Sequence, residues 1–296
     1  MVDMSMSRQR SHGSGAPADG NGSAAPRPYT ALQGVGRAME IVEAVAERPM
    51  RASEIAERLG LKWTTAHRSL SYLLENNYLR RDDDSGIYRI GPRLYYLGQS
   101  YLHNHPLIDS GATALRALAH ESGATAQLNE REGLEATVLM GIDPALEMIP
   151  KTSVEHRFPL HVGSKGQVLL AYADPSVFEE LIATGPRPLT PSSITDPQEL
   201  ADVLAEIRAH GYRVTLQDVQ MNTGSIAAPI FSGNGEIAGS VCVIVKAPQL
   251  TDERTEELVS AVSSVAREIS IRLGWRYGDQ PAALERWASF TPPPAR

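Results

Sequence analysis

A single cysteine, Cys242, is all the thiol chemistry that 296 residues provide. It excludes an internal disulfide and a structural tetra-cysteine zinc site, and it fits a reducing, cytoplasmic compartment. Its neighbours Ser240, Val241, Val243 and Ile244 form a strand-like run, so a buried small thiol fits better than a redox or nucleophilic one. Long apolar runs are missing as well, since nothing approaches the roughly 18 residues needed to span a bilayer. The stretch from Met1 to Pro28 has no apolar signal-peptide core and collects Gly, Ser, Ala, Pro and Arg instead. Residues 1–30 therefore read as a disordered leader. Positive charge is also short, with a net charge of -7. From Ala31 to Leu102 ten Lys and Arg stand against nine Asp and Glu, whereas from His103 to Arg296 fifteen stand against twenty-four. Any nucleic-acid-binding face would have to come from particular side chains, not from bulk charge.

What the chain does have is enough length for two domains with separate cores. Gly36 to Glu47 places Ala38, Met39, Ile41, Val42, Val45 and Ala46 on one helical stripe, ended by Arg48-Pro49. A second short helix follows, with Ser53 as its expected cap, Ile55, Ala56 and Leu59 on one side, and Gly60 as its breaker. Lys62 to Asn76 then spaces Ala66, Leu70, Leu73 and Leu74 as a third helix, stopped at Asn76-Asn77. Tyr78–Arg81 and Gly86–Ile90 read as two strands around an Asp-Asp-Asp-Ser-Gly turn. These features predict a winged helix-turn-helix over residues 31–91, followed by a linker helix over 92–105. The linker's apolar stripe of Leu94, Leu97, Tyr101 and Leu102 calls for a partner surface, such as the same helix of a second subunit.

Beyond Pro106 the pattern is mixed. Helices are expected near Ile108–Glu121, Ser164–Tyr172, Pro175–Ala183, Pro197–His210 and Asp252–Leu273. Strands are expected near Thr125–Glu130, Glu135–Gly141, Tyr212–Leu216, Gly224–Phe231 and Ile237–Val245, the last two joined at Asn234-Gly235. The fold class is α+β, on an antiparallel sheet spanning residues 106–274, with 275–296 as a tail.

A helix-turn-helix reads a duplex because its second helix fits the major groove with polar side chains outward. The third helix has this division. Ala66, Leu70 and Leu73 face inward, while Lys62, Thr64, Thr65, His67, Arg68 and Ser71 face outward together with Trp63 and Tyr72. Thr64 and Thr65, at the helix start, suit a phosphate. Arg68, one turn on, suits a guanine edge, and Arg80, Arg81 and Arg89 of the hairpin suit neighbouring phosphates or the minor groove.

The segments Arg51–Leu61, Thr64-Thr65-Ala66-His67-Arg68 and Tyr88–Leu94 resemble the DNA-binding half of IclR-type regulators. Pro159-Leu160-His161 with Gly166 and Leu169-Leu170-Ala171, Leu189-Thr190 with Ile194-Thr195, Arg208 with Gly211-Tyr212, and Ile226–Pro229 resemble the family's effector half, in order. The resemblance covers about Ala31 to Gly274. It implies a GAF-like effector domain, a homodimer or a dimer of dimers, and operator affinity governed by a small molecule such as an organic or aromatic acid. No cofactor, metal or membrane is implied. Carried over residue by residue, the pocket candidates are Val162, Gly163, Ser164, Ser225, Ile226, Ala227, Cys242 and Ile244, with Leu128 and Met140 as apolar walls. Ser225 and the backbone N–H groups at Gly163 and Ser164 would supply donors for a carboxylate. The chain departs from the family pattern at Ala124 (commonly Glu), Asn222 (Gly), Ser225 (Cys) and Val245-Lys246 (Gly-Pro).

Two other readings stay open. Gly163-Ser-Lys-Gly166 and the His103, His105 pair hint at an enzyme, though the first lacks the rest of a phosphate loop and the second lacks a ligand cluster. A constitutive DNA-binding protein without a ligand is the other.

Overall fold

The computed structural model describes residues 28–145, 157–276 and 278–292. Most of the expected leader, residues 1–27, lies outside them. The chain divides into two compact units between Arg93 and Leu94.

In the first unit, α1 (Pro28–Glu47) begins ahead of the Gly36 expected from periodicity, and β1 (Met50–Arg51), α2 (Ala52–Arg58) and α3 (Trp63–Glu75) follow. A hairpin of β2 (Leu79–Arg81) and β3 (Ile87–Ile90) completes it. The sheet order is β1-β3-β2, antiparallel throughout, with Met50 opposite Tyr88 and Arg80 opposite Arg89. Apolar positions three and four apart put Ile41, Val42, Val45, Ile55, Ala66, Leu70 and Leu73 in one core, closed by Met50, Leu79 and Tyr88. Ser53 is not the cap of α2. Pairing with β3 keeps the backbone extended through Arg51, so the helix starts at Ala52 and Arg51 becomes the N-cap. Its backbone N–H donates to the Glu54 carboxylate at 2.6 Å.

Asn77 takes φ 59° just past α3, a conformation that asparagine tolerates better than most side chains. Gly91 sits against this turn, and a Cβ built on it would lie 2.2 Å from the Asn77 carbonyl oxygen. Gly91→Ala is therefore expected to push the end of β3 away from α3 and to lower stability by about 1–3 kcal/mol. A urea titration of the full chain checks this, and an unchanged midpoint would contradict the close approach.

The second unit contains α4 (Pro92–His103, most of which lies past the division), α5 (Pro106–Ser122), β4 (Thr125–Glu132), β5 (Glu135–Ile142), β6 (Arg157–Pro159) and α6 (Gly163–Ala171). It continues with α7 (Pro175–Ala183), α8 (Pro197–His210), β7 (Arg213–Leu216), β8 (Thr223–Phe231), β9 (Ile237–Lys246), α9 (Asp252–Arg272) and α10 (Ala283–Ala288). Six antiparallel strands in the order β6-β5-β4-β9-β8-β7 form one sheet. Side chains alternate across it. Leu128, Ile226, Ile230, Val241 and Val243 meet Leu115 and Leu118 of α5 and Leu258, Val262 and Ile269 of α9 in one core. Ala227, Phe231 and Cys242 meet Leu169 of α6, Phe178 of α7 and Leu204 of α8 in the other.

The segment expected to be a tail belongs to this second core. In α10, Ala283 and Trp287 are buried. The Trp287 indole N–H donates to the Ala173 carbonyl at 2.9 Å, and its ring packs edge-on to Phe178 and Phe290. Arg208 lies over the same ring at 4.1 Å, and burial pulls this guanidinium down to about 10.

Candidate functional site

The outward side of α3 is built as the helical spacing requires. Lys62, Trp63, Thr64, His67, Arg68 and Tyr72 are exposed, Thr65 and Ser71 half-exposed, and Ala66, Leu70 and Leu73 buried. Trp63 keeps 55% of its surface in solvent and its ring lies 6.0 Å from that of His67, so its side chain belongs to the outer face and not to the core. Lys62 is the N-cap and no side chain caps the helix; the Thr65 N–H donates to the Lys62 carbonyl at 2.9 Å, which leaves the Trp63 and Thr64 N–H groups to meet an anion. Arg80, Arg81 and Arg89 are exposed on the hairpin. The turn between its strands is locked by Asp82, whose carboxylate accepts from the Ser85 N–H and hydroxyl at 2.7 and 2.6 Å. Those two bonds hold the Asp82 carboxyl below its ordinary range.

Charge pairing separates the cations of this unit into two groups. Arg48 lies 3.9 Å from Glu54, and Arg58 bonds Glu47. Among the described residues, Lys62, Arg68, Arg80, Arg81 and Arg89 enter no ion pair. Arg37, Arg51 and Arg93 enter none either, and Asp82, Asp83 and Asp84 in the turn offset the three hairpin arginines in sum, so α3 and the hairpin present individual exposed cations and not an excess of positive charge.

On α4 no residue is buried. Tyr95, Tyr96, Leu97 and Tyr101 keep 63, 68, 51 and 53% of their surface. At its end, the Tyr101 hydroxyl donates to Glu130 at 2.5 Å, and His105 contacts the other oxygen of that carboxylate at 3.0 Å. Burial and Glu130 push the Tyr101 hydroxyl up to about 12. Of the two histidines, His105 is engaged with Glu130 and Tyr101, and among the described residues no group of three or more His, Cys, Asp or Glu could hold an ion.

In the second unit a cavity of about 600 Å³ opens on the sheet face that carries α6. Gly163, Ser225, Cys242 and Ile244 line it, together with Gln127, Arg157, Phe158, Lys165, Leu189, Val219, Gln220 and Thr223. Four of the ten expected pocket residues thus stand in its wall. Ser164 is fully buried behind Ser225, the two hydroxyls 2.8 Å apart. Leu128 and Ile226 point through the sheet into the opposite core, where Met140 packs beside them, because each is one residue out of phase with the cavity face. Val162 is buried as the N-cap of α6, and Ala227 belongs to the second core.

The donors expected at the start of α6 are already committed. The Gly163 N–H donates to Asp218 at 2.7 Å and the Ser164 N–H to the Thr215 hydroxyl at 3.2 Å. Burial raises Asp218 against that bond. Gly163 has φ 72°, and a Cβ on it would lie 2.6 Å from a methyl of Val219, so only glycine fits there without closing the wall. Asn222, at the position where glycine is common in the resembled family, has φ 62°. Its conformation is the one that the glycine would supply. Cys242 is fully buried and burial pushes its thiol up, as expected of an unreactive one.

Nothing in the local sequence marks Lys165 as a pocket residue. It is 5% exposed, its ammonium donates to the Gln127 side-chain oxygen at 3.0 Å, and it stands 3.7 Å above the Phe158 ring. Lys246, where the chain departs from the family pattern, is exposed.

Comparison with known proteins identifies both units. Residues 34–83 match the IclR helix-turn-helix domain, and residues 99–271, well over half of the chain, match the domain described as bacterial transcriptional regulator IclR C-terminal. The chain belongs to the IclR family. Its first unit accordingly carries the family's helix-turn-helix DNA-binding domain and its second the effector-binding domain. IclR-family relatives include the glycerol operon regulatory protein of Streptomyces coelicolor, 30% identical over 82% of this chain and 97% of that one. The regulator BhcR of Paracoccus denitrificans is 28% identical over 83% of this chain and 88% of that one. Among solved structures, an IclR homologue of Microbacterium hydrocarbonoxydans complexed with 4-hydroxybenzoate is 26% identical. It has a TM-score of 0.71 and covers 81% of this chain and 98% of that one. An IclR regulator of Alicyclobacillus acidocaldarius, also 26% identical, reaches 0.73 over 82% and 99%. No helix among the described residues is long and apolar enough to cross a membrane.

Proposed function

We propose that this IclR-family chain is a sequence-specific transcriptional regulator whose operator affinity is set by a small organic or aromatic acid in the cavity beside α6. The observation that carries this reading is the cavity itself, about 600 Å³ of recess with both polar and apolar walls, in one chain with an exposed cationic recognition helix. It is within the range that takes a small organic molecule. The relative complexed with 4-hydroxybenzoate supports the ligand class. Arg68 reads a base edge, Thr64, Thr65 and Lys62 hold the backbone at the start of α3, His67 and Ser71 lie along the groove, and Arg80, Arg81 and Arg89 grip phosphates beside it. The exposed side chains of α4 pair with the same helix of a second copy. Ligand binding then changes the spacing of the two recognition helices relative to half-sites about one helical turn apart.

The test is selection of duplexes from a random pool by the full chain, followed by affinity measurements on the winners at fixed salt. One consensus is expected, with an affinity that changes about fivefold or more in the presence of at least one member of a panel of small organic acids. A consensus that ignores every compound, with no heat of binding in calorimetry, would instead assign a constitutive DNA-binding protein.

A further inference from the structure

A lysine in the first turn of a helix ordinarily keeps its ammonium in water. Lys165 does not. All nine residues of α6 are buried, and the side chain runs under the sheet side of the cavity with 5% of its surface exposed. An ammonium has three protons to donate. One goes to Gln127 at 3.0 Å and the Phe158 ring offers its face at 3.7 Å. Among the described residues no other acceptor takes the remaining two.

A buried cation of this kind needs a counter-charge, and the described cavity wall holds none. No Asp or Glu lines it. Asp218 lies behind it, where one of its oxygens accepts from the Gly163 N–H and the Gln167 amide at 2.7 and 3.2 Å, and among the described residues it forms no ion pair with Lys165. Burial raises the Cys242 thiol against the pull of Lys165, which works against a thiolate partner there. The second cation of the wall, Arg157, is spoken for by Glu132 at 2.7 Å and Glu135 at 3.7 Å. Lys165 is thus the one charge in the described wall without an opposite partner. Burial lowers its affinity for the proton, which an anion in the cavity would restore.

We propose that Lys165 determines the charge of the effector by forming an ion pair with a carboxylate on the small molecule that the cavity holds. This rests on the cavity being the effector site and adds the residue that selects the ligand. With the first two N–H groups of α6 already bonded within the protein, the ammonium supplies the charge-assisted contact that a carboxylate requires. Gln127 and the Ser225 hydroxyl, in the same wall, offer neutral polar contacts to the rest of the molecule.

The test uses the full chain, with benzoate, 4-hydroxybenzoate, pyruvate and succinate as probes beside their primary amides, in calorimetry and thermal shift. At least one carboxylate should bind the wild type about tenfold or more tighter than its amide. Lys165→Met should abolish that preference by weakening the carboxylate alone, and should melt no lower than the wild type without ligand, since it removes an unpaired buried charge. If Lys165→Met does not fold, Lys165→Gln takes its place with the same expectation. A preference for the carboxylate that survives in the variant, or amides that bind the wild type as well as acids do, overturns the role of Lys165 and leaves the effector site standing. If neither class binds and operator affinity ignores both, the effector reading falls and this inference falls with it.

Discussion

Trp287→Ala is expected to destabilise the chain by about 3–5 kcal/mol and to lower the melting temperature of the second unit by about 6–20 °C. The substitution removes more than apolar area. It strips the partner from the Ala173 carbonyl, opens the aromatic cluster with Phe178 and Phe290, and uncovers Arg208. Differential scanning calorimetry of the full chain checks it. A shift of a degree or less would mean that α10 is an appendage, as the sequence suggested, and not part of the core.

For Arg68→Ala the expected result is a loss of about 1–3 kcal/mol in affinity for a selected operator, roughly 5- to 150-fold, with relaxed specificity at one base position. Effector binding and melting temperature should stay as in the wild type, because Arg68 is exposed and enters no ion pair among the described residues. Arg80→Ala and Arg81→Ala should behave differently. They should weaken all duplexes alike and reduce the slope of log affinity against log salt by about 1. Gel-shift titrations at several salt concentrations separate the two behaviours, and unchanged operator affinity in Arg68→Ala would show that α3 has been assigned the wrong role.

The first unit was legible because each of its signals agrees with the others. Three apolar stripes, the break at Gly60 and the stop at Asn76-Asn77 place the three helices that burial of Ile41, Ile55, Leu70 and Leu73 holds together, while the start of α1 at Pro28 and the cap of α2 at Arg51 lay outside the pattern. What escaped was short. Met50–Arg51 and Arg157–Pro159 are strands of two and three residues, defined by pairing with distant partners and not by any local pattern. The six residues of α10 carry too little periodicity to stand out.

The cavity was legible only in part, for two reasons. A strand sends neighbouring residues to opposite faces, so a segment chosen as a whole brings in Ile226 with Ser225. Leu128 faces away from the cavity while its neighbour Gln127 lines it. The second reason is chemical. Lysines are exposed almost everywhere, and nothing local marks Lys165 as an exception. Only the packing of α6 against the sheet does, and that is a property of the whole fold.

The most direct test of the central claim is arginine modification with phenylglyoxal, with and without a selected duplex, read peptide by peptide by mass spectrometry. DNA should shield Arg68, Arg80, Arg81 and Arg89, the cations without ion-pair partners on α3 and the hairpin, and leave Arg48 and Arg58, already paired with Glu54 and Glu47, as reactive as before. Equal reactivity of Arg68 in the free and bound states, with protection elsewhere on the chain, would contradict the placement of the duplex against α3.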